Sequence, residues 1–530
     1  MSRCLTILLL LFSIPVIFAC ALVEEGKRPN VVPLSAEELS PYLTKAIAID
    51  QTVPRASTLT ITYPYEGTLF PNDITAPTFI WNDTNTRVHS WIVHVAFTDG
   101  KSPLTSIVTE PSWTPDKSTW ATIKTCSLQG DARLFVFGLG ANSIPLAGAS
   151  DTLSFSTSED RVDATVFFRQ VPLPFSTKNF RQMRWCLGDV TSSAKPRVVM
   201  DNLPICASCH VFSRNGKTMS MEMNLNGDSG AQFIAKVEKE IVVKPENFMS
   251  WNDFPRGGVL PKSRGLFGKM SPNGRYLISS INEISLALIT NELAFSQVFF
   301  PTYGILASYS VAEKTIKPLP GADNFDFVHA NPNWHPEEKF IVFSRAKTKN
   351  ELHDDIANVV PMKKEAGIEE LNKQYNIQFD IYSIPFNNGE GGVAKPLPGA
   401  SNNGYSNYFP RYSPDGKWIV FTRSRTGIML QPDSQLFIVP SEGGVARKMT
   451  CNRALFNSWH SWSPNGKWLL FSSKVNTPYT EIFLTHIDEN GNDTPPVLLS
   501  HLSSSTHAAN VPEFINVKFN NLHQIRLQKN

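Results

Sequence analysis

The sequence predicts an all-β chain: an immunoglobulin- or fibronectin-like β-sandwich followed by a β-propeller of five to six blades. Three observations predict it. A word built on Ser-Pro-Asx-Gly recurs between Phe212 and Phe471. Such a recurring hairpin unit marks a propeller. Short alternating runs, broken by Pro, Asn, Asp and Gly clusters, occupy much of the remainder. Few segments carry helical periodicity, whereas Pro (38 residues) and aromatics (11%) are abundant.

The N-terminus comes first. Arg3 precedes an apolar run from Leu5 to Phe18, too short to span a bilayer. It ends Ile17-Phe18-Ala19-Cys20, a small residue followed by Cys, which resembles a bacterial lipobox. Residues 1–19 therefore read as a lipoprotein signal peptide and Cys20 as the lipidated first residue. The alternative is an ordinary signal peptide with an incidental Cys20. Residues 20–58 read as a tether. The expected place is the cell envelope, anchored through lipid to a membrane (the outer membrane is favoured). A formal charge of +2 gives no electrostatic case for nucleic acid. The expected partners are that membrane and a redox or scaffold protein.

Residues 59–160 form the sandwich. Leu59–Tyr63, Thr78–Trp81, Trp91–Phe97, Arg133–Phe137 and Thr152–Phe155 are its strands. No catalytic set stands out, and His94 reads as packed or solvent-facing. Residues 161–530 form the propeller. Tyr412 to Phe421, Trp462 to Phe471, Met270 to Ser279, Trp334 to Phe343 (lacking the Gly) and Phe212 to Met221 are the five repeats. Asn-Gly or Asp-Gly gives each a tight turn, and an alternating strand follows. Counted from Ser213, the copies step by 58, 64, 78 and 50 residues. Strands from Val166 to Met200 are expected to complete a sixth blade with the C-terminus. An insertion, Asn350 to Tyr375, includes a short helix over Lys363–Lys373 with a solvated, mixed-charge surface.

The chemistry lies in Cys206-Ala207-Ser208-Cys209-His210. C-x-x-C-H in an exported chain is the attachment signature of a c-type haem. The two thiols add to the porphyrin vinyl groups, and the adjoining His is the first axial ligand. The competing readings are a redox pair, a partial zinc site and a disulfide. No second pair of zinc ligands at knuckle spacing is visible. Cys126, Cys186 and Cys451 remain, an odd number, so at least one thiol is expected to be free.

The repeat resembles that of TolB-type β-propellers. Much of residues 162–517 is similar to a family of bacterial TolB-like propeller lipoproteins that carry C-x-x-C-H in one blade. The matching residues include Val171-Pro172-Leu173-Pro174-Phe175, Cys206 to Ser213, Phe299-Phe300-Pro301, Gln431-Pro432-Asp433-Ser434, Ser458 to Asn465 and Asn510-Val511-Pro512-Glu513-Phe514. The resemblance implies the fold and one covalent haem c, and no reaction.

The repeats also suggest the second axial ligand. His210 and His460 stand three residues before Ser213 and Ser463, where the other copies have Gly268, Pro332 and Pro410. Equivalent strands would bring both rings to one mouth of the channel. His460 is thus the first candidate, with a plain channel-lining histidine as the alternative. Met221 is the second; Met219, Met221 and Met223 share one strand face, which also reads as core packing. Three functions follow: electron transfer or redox sensing, a binding or scaffolding propeller, and a haem enzyme with an open sixth position. The first is favoured, and no catalytic residue is assigned.

Overall fold

Six four-stranded sheets follow one another along residues 165–515 in the computed structural model. The structure describes residues 57–528 except 99, 129, 141–144, 175–178, 206, 256–261, 290–291, 349–368, 370–371 and 374–375. Cys20, Cys206 and most of the 350–375 insertion thus lie outside the described residues.

Blade 1 comprises Thr165–Pro172, Arg184–Asp189 and Arg197–Asp201, with the C-terminal strand His507–Ile515 innermost. Blade 2 is Ala207–Phe212, Thr218–Met223, Ala231–Lys236 and Phe248–Ser250. Blade 3 is Lys269–Met270, Tyr276–Ile289, Gln297–Ser310 and Thr315–Pro318. Blade 4 is Phe327–Trp334, Phe340–Lys347, Asp380–Pro385 and Lys395–Pro396. Blade 5 is Ser406–Tyr412, Trp418–Ser424, Gln435–Pro440 and Arg447–Lys448. Blade 6 is Asn457–Trp462, Trp468–Ser473, Glu481–His486 and Val497–Leu498. The count is therefore six. Five hairpin words suffice because the inner strand of blade 1 arrives from the other end of the chain and needs no hairpin.

The recurring word has a local cause. Ser413 Oγ donates to Asp415 at 2.5 Å and accepts from Trp418 N at 3.0 Å. Ser463 repeats this with Asn465 and Trp468. The hydroxyl thus closes the turn that Gly416 (φ 74°) and Gly466 (φ 73°) make in the left-handed region. In blade 4, Glu338 adopts φ 60° without glycine. Its carboxylate offsets this by accepting from Asn273 N at 2.8 Å and pairing with Arg275 at 3.1 Å in blade 3.

The sandwich packs Leu59–Tyr63, Phe79–Asp83 and Ser112–Trp113 against a five-stranded sheet. That sheet holds Thr68–Pro71, Pro145–Ser158, Ala132–Leu139, Ser90–Phe97 and Leu104–Val108. His94 is packed, with Nδ1 2.9 Å from Thr105 Oγ1. A helix that the sequence did not suggest, Lys117–Cys126, joins the sandwich core through Trp120 and Ile123. Its N-cap is Asp116, which accepts from Ser118 N and Thr119 N at 2.8 and 2.9 Å.

One apolar core runs across both units. Phe79, Trp81 and Trp113 of the sandwich share it with Trp468 and Ile482 of blade 6 and Leu502 beside blade 1. Leu498 N donates to the Tyr63 hydroxyl at 3.0 Å, and His486 Nε2 lies 2.7 Å from Asp160. The second and third strands of blade 3 are 14 residues each. They extend as a hairpin whose Phe295, Val298 and Phe300 pack with Phe409, Met429 and Phe456. Met429 N donates to Phe299 O at 2.7 Å, and Lys474 Nζ donates to Ala294 O. Among the described residues no helix is long and apolar enough to cross a membrane.

Candidate functional site: the central channel

The channel is built by one irregularity repeated around the ring. In blades 1, 4, 5 and 6 the register of the inner strand jumps across two residues, at Val511-Pro512, Asn331-Pro332, Phe409-Pro410 and Trp459-His460. The first residue of each pair has φ between 48° and 53°, and Phe267 in blade 3 has φ 61°. Bulky residues rarely adopt this conformation, and bulges of this kind re-aim side chains. Here they turn Phe267, Asn331, Phe409, Trp459 and Val511 into a constriction, and Cys209 of blade 2 takes the sixth place. The free volume there is about 30 Å³.

Blade 2 departs from the pattern. Its register jumps between Ala207 and His210, so Ser208 and Cys209 form the bulge, one residue earlier than elsewhere. A second difference lies behind it. At one equivalent place on the second strands, blades 3 to 6 carry Ser280, Ser344, Thr422 and Ser472, all buried. Three of these hydroxyls tie to the next inner strand: Ser280 to His329 O (2.8 Å), Thr422 to Ser458 (3.0 Å) and Ser472 to Ala509 O (3.1 Å). Blade 2 has Glu222 there, and blade 1 has Arg169. Glu222 accepts from Phe267 N of blade 3 at 2.7 Å and from the Ser208 hydroxyl. Burial raises its carboxyl pKa, and these hydrogen bonds oppose the rise. Single-position motif reading missed Glu222; aligning the second strands would have found it.

Below the constriction a second ring opens into a funnel of about 160 Å³ on the Ser-Pro-Asx-Gly face. Lys269, Arg411 and Glu513 line both spaces. Burial pushes the Lys269 ammonium down to about 8, lowers Arg411 and raises Glu513. At the opposite end the long blade 3 hairpin and Trp459 enclose a smaller space with Arg169 and Lys474.

The motif residues fall around this channel as follows. Cys209 touches the Phe267–Phe409 apolar cluster, and burial, then Glu222, pushes its thiol up to about 12. His210, the next residue, turns the other way. Its ring meets Phe167 of blade 1 edge-on at 4.6 Å and is 1% exposed. Burial holds it neutral, well below the ordinary imidazole range. Its ring nitrogens face the Phe167 and Val511 backbone without a well-formed hydrogen bond, and Nε2 lies 4.0 Å from Glu513. Met221 is the cross-strand register partner of His210 and lies in the same core as Phe167. His460 turns toward blade 5, where Nε2 is 2.9 Å from Val420 O, and burial lowers its pKa to about 3. The structure therefore brings His210 and Met221 together and directs His460 into a different blade interface.

A haem iron is matched by donor type: a buried imidazole without a well-formed hydrogen bond at either nitrogen, beside a thioether. Direction is less favourable. Cys209 faces the Phe267–Phe409 cluster in the channel and His210 faces Phe167 of blade 1, so the two side chains leave the strand in different directions. Among the described residues Cys126, Cys186, Cys209 and Cys451 form no disulfide; for Cys126, Cys186 and Cys451 the odd count led one to expect at least one free thiol. Among the described residues no three His, Cys, Asp or Glu side chains are grouped to hold a metal ion.

No family model matches the chain, and no curated protein matches it. Among solved structures it is similar to TolB from Acinetobacter baumannii, at 12% identity and TM-score 0.40, over 73% of this chain and 80% of that one. It is also similar to oligogalacturonate lyase from Vibrio parahaemolyticus (12%, 0.35, 63% and 74%). A third is the periplasmic gluconolactonase of Pseudomonas aeruginosa (10%, 0.31, 66% and 99%). The chain is a β-sandwich joined to a six-bladed β-propeller, with TolB-like propellers among its structural neighbours.

Proposed function

We propose that this propeller is a lipid-anchored envelope protein carrying one covalent c-type haem on blade 2, for electron transfer or redox sensing. The observation that supports it is C-x-x-C-H in which His210 is buried and neither ring nitrogen makes a well-formed hydrogen bond. Cys206 and Cys209 would hold the porphyrin and His210 the iron; bound haem would supply a one-electron centre. Met221 is the nearer second ligand and His460 the more distant one. For the protein, Phe167 and Glu513 orient and shield the imidazole. The fate of Cys20 sets the location: acylation tethers the body to a membrane.

The test is an absorption spectrum and pyridine haemochrome assay on protein from its native host. Haem should survive denaturation in the wild type and disappear in Cys206→Ala/Cys209→Ala. A low-spin spectrum altered by Met221→Ala, and not by His460→Ala, would assign the sixth ligand; the reverse result would assign His460. Cys20→Ser should release the protein from membranes or leave it unprocessed. A native sample without covalent haem overturns the proposal.

The divergence of Cys209 from His210 favours a second reading. Here Cys209 remains a neutral, buried thiol and the propeller is a binding platform working through its open funnel. That outcome would show as free Cys209 by mass spectrometry of the native protein.

A further inference from the structure

The floor of the funnel holds two cations, Lys269 and Arg411, against a single carboxylate, Glu513. Lys269 is 7% exposed, and neither it nor Arg411 takes part in an ion pair among the described residues. Buried charges are ordinarily paired, because leaving water costs more than any single contact returns. Glu513 stands in the same ring and its charge acts on both, but it forms no close ion pair with either, and its Oε2 has no hydrogen-bond partner. Immediately above, two more donors are unused. Asn331, 3% exposed, has Oδ1 engaged by Ser344 at 3.3 Å, and its Nδ2 has no acceptor. Trp459 Nε1 is likewise unpartnered. Both residues line the constriction with Lys269 and Arg411.

Four sets of donors thus converge on one cavity in which Glu513 is the single carboxylate. The complementary occupant is rich in acceptors and negatively charged. Size agrees. Since roughly 10–15 Å³ of such space holds one water, the 30 Å³ at the constriction takes an oxyanion head, and the 160 Å³ funnel takes the attached body. The far end is covered by the blade 3 hairpin and the Lys474–Ala294 contact, so entry is from the Ser-Pro-Asx-Gly face.

We propose that the channel floor is a binding site for an oxyanion head group, carboxylate or phosphate, held between Lys269 and Arg411. Asn331 and Trp459 complete its hydrogen bonding, and Glu513 limits how much negative charge it accepts. No motif side chain serves as a donor here, but Cys209 lines the same constriction and Glu513 neighbours His210, so the site shares a wall with the motif.

Calorimetric titration of the purified mature protein at fixed ionic strength tests this, with succinate, inorganic phosphate and neutral succinamide as probes. Saturable binding of succinate or phosphate is expected, and none of succinamide. Succinate alone would assign a carboxylate ligand, and phosphate alone a phosphate. Lys269→Met and Arg411→Met should each weaken binding at least tenfold and abolish the rise in Tm that the anion gives the wild type. Glu513→Gln should strengthen it. Should the Met variants fold poorly, Lys269→Arg and Arg411→Lys must retain binding within about threefold of wild type. The proposal is overturned if neither anion binds, if succinamide binds equally, or if folded Met variants bind as the wild type does.

Discussion

At the scale of single residues, buried polar groups around the channel decide what can be measured. Glu222 ties blade 2 to blade 3 through Phe267 N. Glu222→Ala strands that buried N–H, and unsatisfied groups of this kind cost about 1–3 kcal/mol. A fall of that size in urea-unfolding stability is expected. Glu222→Gln, which keeps an acceptor oxygen, should lose clearly less; equal losses would rule out the tie. His329 gives a pH signature. Its Nδ1 lies 3.2 Å from Gly304 O, and burial lowers its pKa to about 4. Below pH 6.5 the unfolded chain takes up a proton that folded His329 refuses. Its contribution to stability is therefore present above pH 6.5 and is lost as pH falls toward 4. His329→Gln should flatten the wild-type loss between pH 7 and 4.5, by about 1–3 kcal/mol. Parallel curves for the two proteins would refute this.

At the scale of elements, the hairpin word was legible because its chemistry is local. Ser, Asx and Gly act on one another within four residues, so each copy announces a turn wherever it stands. Even blade 4, with Glu338 in place of Gly, kept enough of the word to be recognised. The inner-strand bulges were not legible. Their left-handed residues are Phe267, Asn331, Phe409, Trp459 and Val511, five positions of four residue types, none of them glycine. What they share is a place in the ring, which only the assembled sheets reveal. The same holds for His210 and His460. Repeat register placed them at equivalent positions, but the bulge in blade 2 comes one residue earlier, and each ring turns toward the preceding blade. The sandwich helix was missed because Trp120 and Ile123 are its only buried residues, too few for a helical stripe. Its cap does much of the specifying. Asp116→Ala removes that cap, and a lower urea midpoint at unchanged slope is expected. No change in midpoint would mean that packing alone holds the helix.

At the scale of the whole molecule, stability rests on ring closure and on the core shared between sandwich and propeller. The closing strand His507–Ile515 pairs with Thr165–Pro172, and Ala509 N donates to Thr480 O of blade 6 at 2.9 Å. Ala509→Pro removes that donor from a fully buried position. A loss of about 3 kcal/mol or more is expected, with far-ultraviolet circular dichroism retained below a lowered Tm. A variant as stable as the wild type would show that blade 1 holds without this strand. Closure also has a consequence in time. The ribosome delivers the chain from its N-terminus, so blade 2 emerges some 300 residues before the strand that completes blade 1. Until then the wall of His210 formed by blade 1 lacks its inner layer, and Cys209 faces an open ring. Any enzyme that modifies this motif has its opportunity during that interval, and docking of the final strand ends it.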